Sequence, residues 1–201
     1  MGNSESEVLK EKEILERVHS DDDTGFDLMV DAFAPMIYRY ALRMCGNVDE
    51  AEDILQDTFL TAKEKIEQFR GEGRLRNWLF TIAGNTCRQR QRKLSDKKRN
   101  ELNIDDVLPS YDDSIEPSSL SWRVDPVKQI LNEELKERLE SAIAALPAPN
   151  RSVLILRDME GLSTRETANA MDITEETVKV RLHRARAFVR NKLRDYFEGN
   201  Q

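Results

Sequence analysis

The sequence has few of the residues that build small secreted domains, sheet sandwiches or membrane spans. Aromatic residues make up 6% of the 201 residues, and there are two cysteines and two histidines. Cys45 and Cys87 cannot form a multi-disulfide framework and lie in no metal-binding motif, so we interpret them as thiols packed between helices. No run approaches the roughly 18 apolar residues of a membrane span. The segment from Met1 to Val18 lacks the apolar centre of a signal peptide, so we expect a cytoplasmic protein without membrane insertion.

Charge is segregated along the chain, although the net charge is only −7. Residues 1–69 contain 7 Lys or Arg and 17 Asp or Glu. Residues 70–99, the first basic island, contain 10 and 2, and residues 163–194, the second basic island, contain 8 and 4. A uniformly solvated surface would mix the two signs more evenly. Two basic islands in an acidic chain therefore predict two separate contacts with anions, such as nucleic acid.

Apolar periodicity predicts an all-α protein with two small helical domains. Apolar residues recur at three- and four-residue spacing from residue 26 to 93, and again after Pro126. The segment between them is rich in Pro, Ser and Asp and has no sustained period, which indicates a flexible acidic linker. The predicted divisions are an acidic N-terminal extension, a first helical domain, the linker and a second helical domain, at residues 1–25, 26–95, 96–126 and 127–197.

The second domain ends in the pattern of a helix-turn-helix. Ser163 and Glu166 fit a capping box at the start of a short helix, and Thr174 caps a long helix after a tight turn. Asn150 is predicted to cap an earlier helix. A helical wheel of the long helix gives one apolar stripe, which we expect to be buried; its members are Val178, Leu182, Ala185, Val189 and Leu193.

The opposite face of the long helix has side chains that a DNA major groove admits. Lys179 and Arg184 can bond guanine edges, and Val180 can contact a thymine methyl group. Flanking arginines such as Arg181 and Arg186 can bind phosphates and set the register. The alternative from this segment alone is a solvated basic face on a packed helical hairpin.

Residues 162–168, LSTRETA, and 177–186, TVKVRLHRAR, resemble the DNA-binding C-terminal domain of extracytoplasmic-function (ECF, group IV) sigma factors of the sigma-70 superfamily. In that family this helix reads the upstream (−35) promoter element. The resemblance implies −35 contacts by eight residues, which are Arg165, Thr177, Lys179, Val180, Arg181, His183, Arg184 and Arg186.

Carboxylates line one face of the helix predicted from Asp49 to Ile66. This carboxylate face consists of Asp49, Glu52, Asp53, Gln56 and Asp57, with Leu60 as an apolar contact within it. Such crowding of like charges costs repulsion, so it needs an explanation. The pattern leaves open a solvated face, a metal site and a docking face for a basic partner.

Residues 47–62, NVDEAEDILQDTFLTA, are similar to the sigma-family segment that binds the clamp coiled coil of the largest catalytic polymerase subunit. The resemblance therefore implies that the carboxylate face docks on RNA polymerase. Lys63 stands where the family often has an aromatic residue, and we expect this difference to alter local packing and leave docking intact.

A Gly-x-Gly loop with three nearby arginines precedes an apolar helix in residues 69–85, FRGEGRLRNWLFTIAGN. Cations bind the phosphates of an unpaired strand, and an unstacked base can enter a pocket and be read on its edges. The alternatives are a tryptophan in the core at Trp78 and glycines that merely turn the chain.

In the sigma family the matching loop covers a base flipped from the non-template strand of the −10 element, and the position of Asn85 helps to form its pocket. Leu75, Gly84 and Gln89 differ from the family's frequent residues, which bears on the preferred base sequence. The resemblance implies −10 contacts by ten residues, which are Arg70, Gly71, Arg74, Leu75, Arg76, Asn77, Trp78, Asn85, Arg88 and Arg92.

The resemblance as a whole implies an alternative sigma factor that catalyses nothing and needs no cofactor or metal. Its implied partners are the clamp of the largest polymerase subunit, the flap of the other large subunit, promoter DNA and an anti-sigma factor. The acidic linker either mimics nucleic-acid charge in the polymerase channel or is a solvated tether; its carboxylates include Asp105, Asp106, Asp112, Asp113 and Glu116.

Two rival functions are weighed beside this one. A stand-alone helix-turn-helix regulator would bind duplex DNA by itself, but it gives no reason for the carboxylate face. A metal-dependent hydrolase using Glu52, Asp53 and Asp57 would need a convergent pocket with more ligands. No Walker-type loop is present, so the sequence implies no nucleotide hydrolysis.

Overall fold

The computed structural model describes residues 2–20, 23–69, 71, 73–97 and 132–198. Within these ranges the chain is helical and contains no strand, which confirms the all-α fold class. The predicted linker, with its acidic residues, lies outside the described residues from position 98 onward. The helices are α1 (Gly2–His19), α2 (Asp23–Cys45), α3 (Val48–Lys65), α4 (Leu75–Lys97), α5 (Asn132–Ala144), α6 (Ala148–Leu154), α7 (Thr164–Met171) and α8 (Glu175–Glu198).

Helices α1 to α4 form an N-terminal unit around the apolar face of α4. Leu75, Leu79, Phe80 and Ala83 have no solvent exposure, and α4 packs against both α2 and α3. The Phe80 ring meets Tyr40 of α2 edge to face, with the ring centroids 5.5 Å apart. Burying each large apolar side chain contributes about 1.5–3 kcal/mol relative to leaving it exposed. Burial of this stripe fixes which face of α4 remains for its basic residues.

The first 19 residues belong to the same unit, whereas the sequence analysis separates residues 1–25 as an acidic extension. Helix α1 packs along α2, and Ile14, Leu15 and Val18 lie against the core. The turn to α2 requires Gly25, because a Cβ there would lie 2.6 Å from the backbone nitrogen of Val18. Few apolar residues in α1 carry the packing, which is why the composition of the segment gives little sign of it.

Helices α5 to α8 form a C-terminal unit in which α8 packs against α5, α6 and α7. All five members of the stripe predicted on α8 are buried. The capping box is present, because Ser163 Oγ accepts from the Glu166 N–H at 3.2 Å and Glu166 Oε2 accepts from the Ser163 N–H at 2.7 Å. Thr174 Oγ1 accepts from the Thr177 N–H at 3.1 Å. These contacts confirm the predicted helix-turn-helix boundaries.

One predicted boundary in this unit is wrong. Helix α6 begins at Ala148, and Asn150 is a buried residue of its first turn instead of its cap. Pro149 is accommodated there because the first-turn N–H groups have no partner within a helix, so a missing one costs nothing. After Leu154 the helix continues as a π-helical segment, Ile155–Met159, which ends before Gly161 with φ of 72°.

Both cysteines are free thiols, in keeping with their predicted packing role. Burial raises the pKa of Cys87 to about 12 and also raises the pKa of Cys45. Neither thiol is therefore activated as a nucleophile. Across the described ranges, no helix is both long and apolar enough to span a membrane.

Gly25 and Gly84 give a matched test of the α1–α2 packing. We expect Gly25→Ala to destabilise the protein by about 1–3 kcal/mol, because its methyl group meets backbone atoms that cannot move aside. Gly84→Ala places a methyl 3.4 Å from the Tyr40 hydroxyl, which is an ordinary contact, and gains helix propensity. Thermal unfolding followed by circular dichroism distinguishes them; equal melting temperatures for the two variants would contradict the close approach.

Candidate nucleic-acid and polymerase interfaces

The outward face of α8 is exposed as the helical wheel predicts. Lys179, Val180, His183 and Arg184 are exposed, and Val180 keeps 48% of its surface open to solvent although it is apolar. Thr177 and Arg181 are half-buried at the edge of this face, and Arg165 is exposed on α7. An apolar residue left exposed between cations suits contact with base edges better than contact with water.

Arg186 is held differently from the other predicted −35 residues. Its Nε and Nη2 atoms donate to the two carboxylate oxygens of Asp158, at 2.8 and 2.6 Å. These hydrogen bonds raise the pKa of Arg186. The fork joins α8 to the π-helical segment, so Arg186 has a structural partner within the unit that the sequence analysis did not foresee.

The carboxylate face of α3 is also arranged as predicted. Asp49, Glu52, Asp53 and Gln56 are exposed, Asp57 is half-buried, and Leu60 keeps 54% of its surface open. The opposite side of α3 is buried; its members include Ala51, Ile54, Thr58, Phe59 and Ala62. The amphipathic helix thus presents acidic groups around one exposed leucine.

Arg90 of α4 reduces the repulsion along this face. Its Nη2 atom lies 2.6 Å from Asp57 Oδ2, and its Nη1 atom lies 2.9 Å from Asp53 Oδ2. Hydrogen bonds to Asp57 and Asp53 raise the pKa of Arg90. An arginine between two of the three residues that the hydrolase hypothesis requires disfavours a metal there. In the described part of the chain, no three or more His, Cys, Asp or Glu side chains are placed to hold a metal ion.

The −10 candidates divide into exposed and buried groups. Gly71, with φ of 74°, Asn85 and Arg92 are exposed, whereas Arg70 lies outside the described residues. The prediction of a DNA contact at Leu75 is wrong for this structure, because its side chain has no exposed surface and packs in the core. The first residue of an amphipathic helix can face inward even where its sequence neighbours are basic.

Trp78 has the mainly structural role that was offered as its alternative. Its ring is half-buried and packs on Phe69, with the centroids 5.1 Å apart. The neighbouring Arg88 donates to Asn85 Oδ1, so the amide at the predicted base pocket is oriented by a cation. This pairing brings two of the predicted −10 residues together.

Glu11 is a site residue that the sequence analysis missed. It is 7% exposed, and its two carboxylate oxygens accept from Arg74 Nη2 and from the backbone N–H of Leu75, both at 3.0 Å. The carboxylate therefore pairs with an arginine of the strand-binding loop and caps α4. Nothing in the sequence marks Glu11 among its acidic neighbours, because its partners lie more than 60 residues away.

The two units contact each other through arginines that bind the carboxyl ends of helices. Arg88 Nη1 donates to the carbonyl of Met171, the last residue of α7, at 3.2 Å. Arg76 Nη2 donates to the carbonyl of Glu160, at the end of the π-helical segment, at 2.6 Å. In the other direction, Arg151 Nη1 donates to the carbonyl of Met44 in the last turn of α2, at 2.7 Å.

Polar side chains complete the contact between the units. Asn77 Nδ2 donates to Glu166 Oε1 at 2.6 Å, and the buried hydroxyls of Tyr40 and Ser152 lie 2.9 Å apart. Partial burial disfavours the charged form of Glu166, but hydrogen bonds from Ser163 and Asn77 outweigh it and lower the pKa. Three predicted −10 residues, Arg76, Asn77 and Arg88, therefore engage the C-terminal unit in this structure.

Known families match both units in order. The family model described as Sigma-70 region 2 matches residues 29–97, and the one described as Sigma-70, region 4 matches residues 136–189. The chain is 32% identical to the ECF RNA polymerase sigma factor SigW of Bacillus subtilis, over 92% of this chain and 97% of that protein. It is 31% identical to the ECF RNA polymerase sigma-E factor of Haemophilus influenzae, over 94% and 97%.

Solved structures agree with these matches. The sigma factor RpoE, in complex with the anti-sigma factor NepR from Bartonella quintana, superposes with a TM-score of 0.62 at 25% identity, covering 84% of this chain and 96% of that one. CnrH, in complex with the cytosolic domain of CnrY, gives a TM-score of 0.62 at 20% identity, which supports the fold, and covers 92% and 97%. Because both sigma regions occur in order and the sequence relatives match along nearly their full lengths, this chain belongs to the ECF family of RNA polymerase sigma factors.

Proposed function

We propose that this chain binds core RNA polymerase and directs initiation at promoters with a −35 duplex element and a −10 element that is opened. The observation that carries the proposal is the exposed basic face of α8, on a capped helix-turn-helix that matches Sigma-70 region 4. ECF sigma factors are not a family of enzymes, and the chain acts by binding in the cytoplasm, where the polymerase works.

Reading of the −35 element rests on the first turns of α8. Lys179, His183 and Arg184 offer donors, and Val180 offers an apolar contact for a thymine methyl group. Arg165 and Arg181 lie beside this face and suit phosphates of the same duplex. The stand-alone regulator would use the same face, but it leaves the region 2 match and the carboxylate face without a role.

Holding of the −10 strand rests on the first basic island. Gly71 and Asn85 are exposed there, and Arg88 orients the Asn85 amide toward the role that the family gives it. Arginines held on α4 attract strand phosphates, whereas a loop with glycine at positive φ can cover an unstacked base. Because Arg76, Asn77 and Arg88 also contact the C-terminal unit, strand capture requires those contacts to be released.

Docking on the polymerase rests on the carboxylate face of α3. Acidic groups around the exposed Leu60 form a polar rim with an apolar centre, which is the usual composition of a specific interface. A basic clamp surface is the complement that this charge requires. We also expect the C-terminal unit to meet the flap of the other large subunit. An anti-sigma factor is a further expected partner, because the related RpoE was solved with one.

Run-off transcription tests the proposal directly. Core polymerase is supplied with a library of promoter fragments, with and without the protein. We expect initiation that depends on the protein and on two spaced sequence elements. If core polymerase gains nothing while the protein alone retards specific duplexes, the stand-alone regulator replaces the sigma-factor proposal.

The −35 contacts are tested by Arg184→Ala, with Lys192→Ala as the control. Loss of a bidentate base contact is expected to cost about 1–3 kcal/mol and to relax preference at one base pair. Lys192 is an exposed cation near the far end of the same helix, beside the Phe188 ring, and its loss is expected to leave base preference unchanged. The measurement is transcription from promoters substituted singly across the −35 element. Identical base preferences for wild type and Arg184→Ala would contradict the assignment.

Polymerase docking is tested by reversing the two carboxylates that Arg90 does not hold. Asp49→Lys with Glu52→Lys is expected to weaken core binding by about 1–2 kcal/mol, because both residues would then repel a basic clamp. Asp27→Lys, at an exposed position on α2 outside the carboxylate face, is the control. Fluorescence anisotropy with labelled protein gives each affinity. Equal core affinities for the double variant and the control would remove α3 from the interface.

A further inference from the structure

Glu11 lies at the junction between α1 and the loop that enters α4. Its side chain is 10% exposed, and that of Arg74 is 26% exposed, so the pair is largely shielded from water. A carboxylate so placed needs partners for both oxygens, because burying an unpaired charge is costly. Glu11 has one partner on each oxygen, the Arg74 guanidinium and the Leu75 N–H.

The two partners fix different parts of the loop. The Leu75 N–H is the first of α4, where a helix has no internal acceptor, so Glu11 caps a helix from a distant segment. A negative charge is also favoured at that end by the helix dipole. Arg74 lies immediately before α4, and its guanidinium is turned toward α1 by the same carboxylate.

The placement of Glu11 is itself fixed by contacts on both sides. Helix α1 closes on α2 at Gly25, and the His19 imidazole lies 3.3 Å from the carbonyl oxygen of Ile66, just before the loop. Helix α1 therefore contacts the chain before the loop through His19 and the chain after it through Glu11. The next two residues, Arg76 and Asn77, begin their contacts one step beyond this cap.

We infer that Glu11 is a positioning residue for capture of the −10 strand. It makes the N-terminal helix part of the strand-binding device by holding Arg74 and the start of α4 in register with the loop. This inference rests on the proposed function, because it assigns a role within strand opening. It assigns Glu11 no contact with DNA, since the side chain is buried.

The test uses the full chain with core polymerase and the promoter found by run-off transcription. Glu11→Gln keeps the shape of the side chain and an acceptor for the Leu75 N–H, but removes the charge that Arg74 binds. Glu13→Gln is the matched control, because Glu13 is an exposed carboxylate of the same helix that pairs with Arg17 in the next turn. Promoter binding and strand opening are measured separately, the latter by fluorescence of 2-aminopurine placed in the −10 element.

We expect Glu11→Gln to bind core polymerase and closed promoter like wild type, but to open the strand about 5- to 10-fold more slowly, the factor expected for loss of one charge-assisted hydrogen bond. A template with an unpaired −10 element is expected to reduce this defect, because opening is no longer required. Glu13→Gln is expected to match wild type in every measurement. A role in folding alone would instead lower core binding, promoter binding and opening together.

Each other outcome overturns the inference in a recognisable way. Wild-type opening by Glu11→Gln, with a wild-type protein that initiates normally, removes the inference and leaves the proposed function standing. A wild-type protein that initiates nowhere removes both. Should Glu11→Gln fail to fold, Glu11→Asp, which keeps the charge but shortens the reach, is measured with the same expectation; if it also fails to fold, Glu11 is a folding residue and the inference is wrong.

Discussion

Burial of the apolar stripe of α4 is the interaction on which the rest of the structure depends. Leu75, Leu79, Phe80 and Ala83 are fully buried, and α4 packs against α2, α3 and α7. Because one face of the helix is committed to the core, its arginines are distributed over the remaining directions. Arg90 reaches the carboxylate face, whereas Arg76 and Arg88 reach the C-terminal unit. A single helix thereby links the predicted polymerase, strand and duplex interfaces.

Opposite charges in this protein are adjacent in space although they are segregated in the sequence. The acidic first 69 residues supply Glu11, Asp53 and Asp57, and the first basic island supplies Arg74 and Arg90 as their partners. Exposed pairs of this kind contribute little to stability, about 0–1 kcal/mol each. Their main effect is orientation, since each one aims an arginine or a carboxylate that the proposed function uses.

The periodic features of the chain could be predicted from the sequence, and the long-range polar contacts could not. The buried stripe of α8 and the capping box at Ser163 follow from spacing alone, because one helix contains all their members. The position of Asn150 was misread because the sequence shows a favourable capping residue, whereas Pro149 tolerates a helix that starts earlier.

Glu11 was missed for a different reason. A buried carboxylate has the same letter as a solvated one, and its partners are more than 60 residues away in the sequence. The fork between Arg186 and Asp158 is of the same kind, with 28 residues between its members. Contacts of this sort depend on how helices are placed in three dimensions, which local pattern does not determine.

The arginines at the contact between the units bind helix ends, and this choice of acceptor has an energetic consequence. The carboxyl end of a helix presents roughly half an elementary charge, whereas a DNA phosphate presents a full one. Arg76 and Arg88 would therefore exchange a weaker anion for a stronger one when a strand arrives. The carbonyls left behind would be solvated by water, as helix ends usually are. Separation of the units is then a ligand exchange at two guanidinium groups, driven by the incoming strand and weakened by added salt.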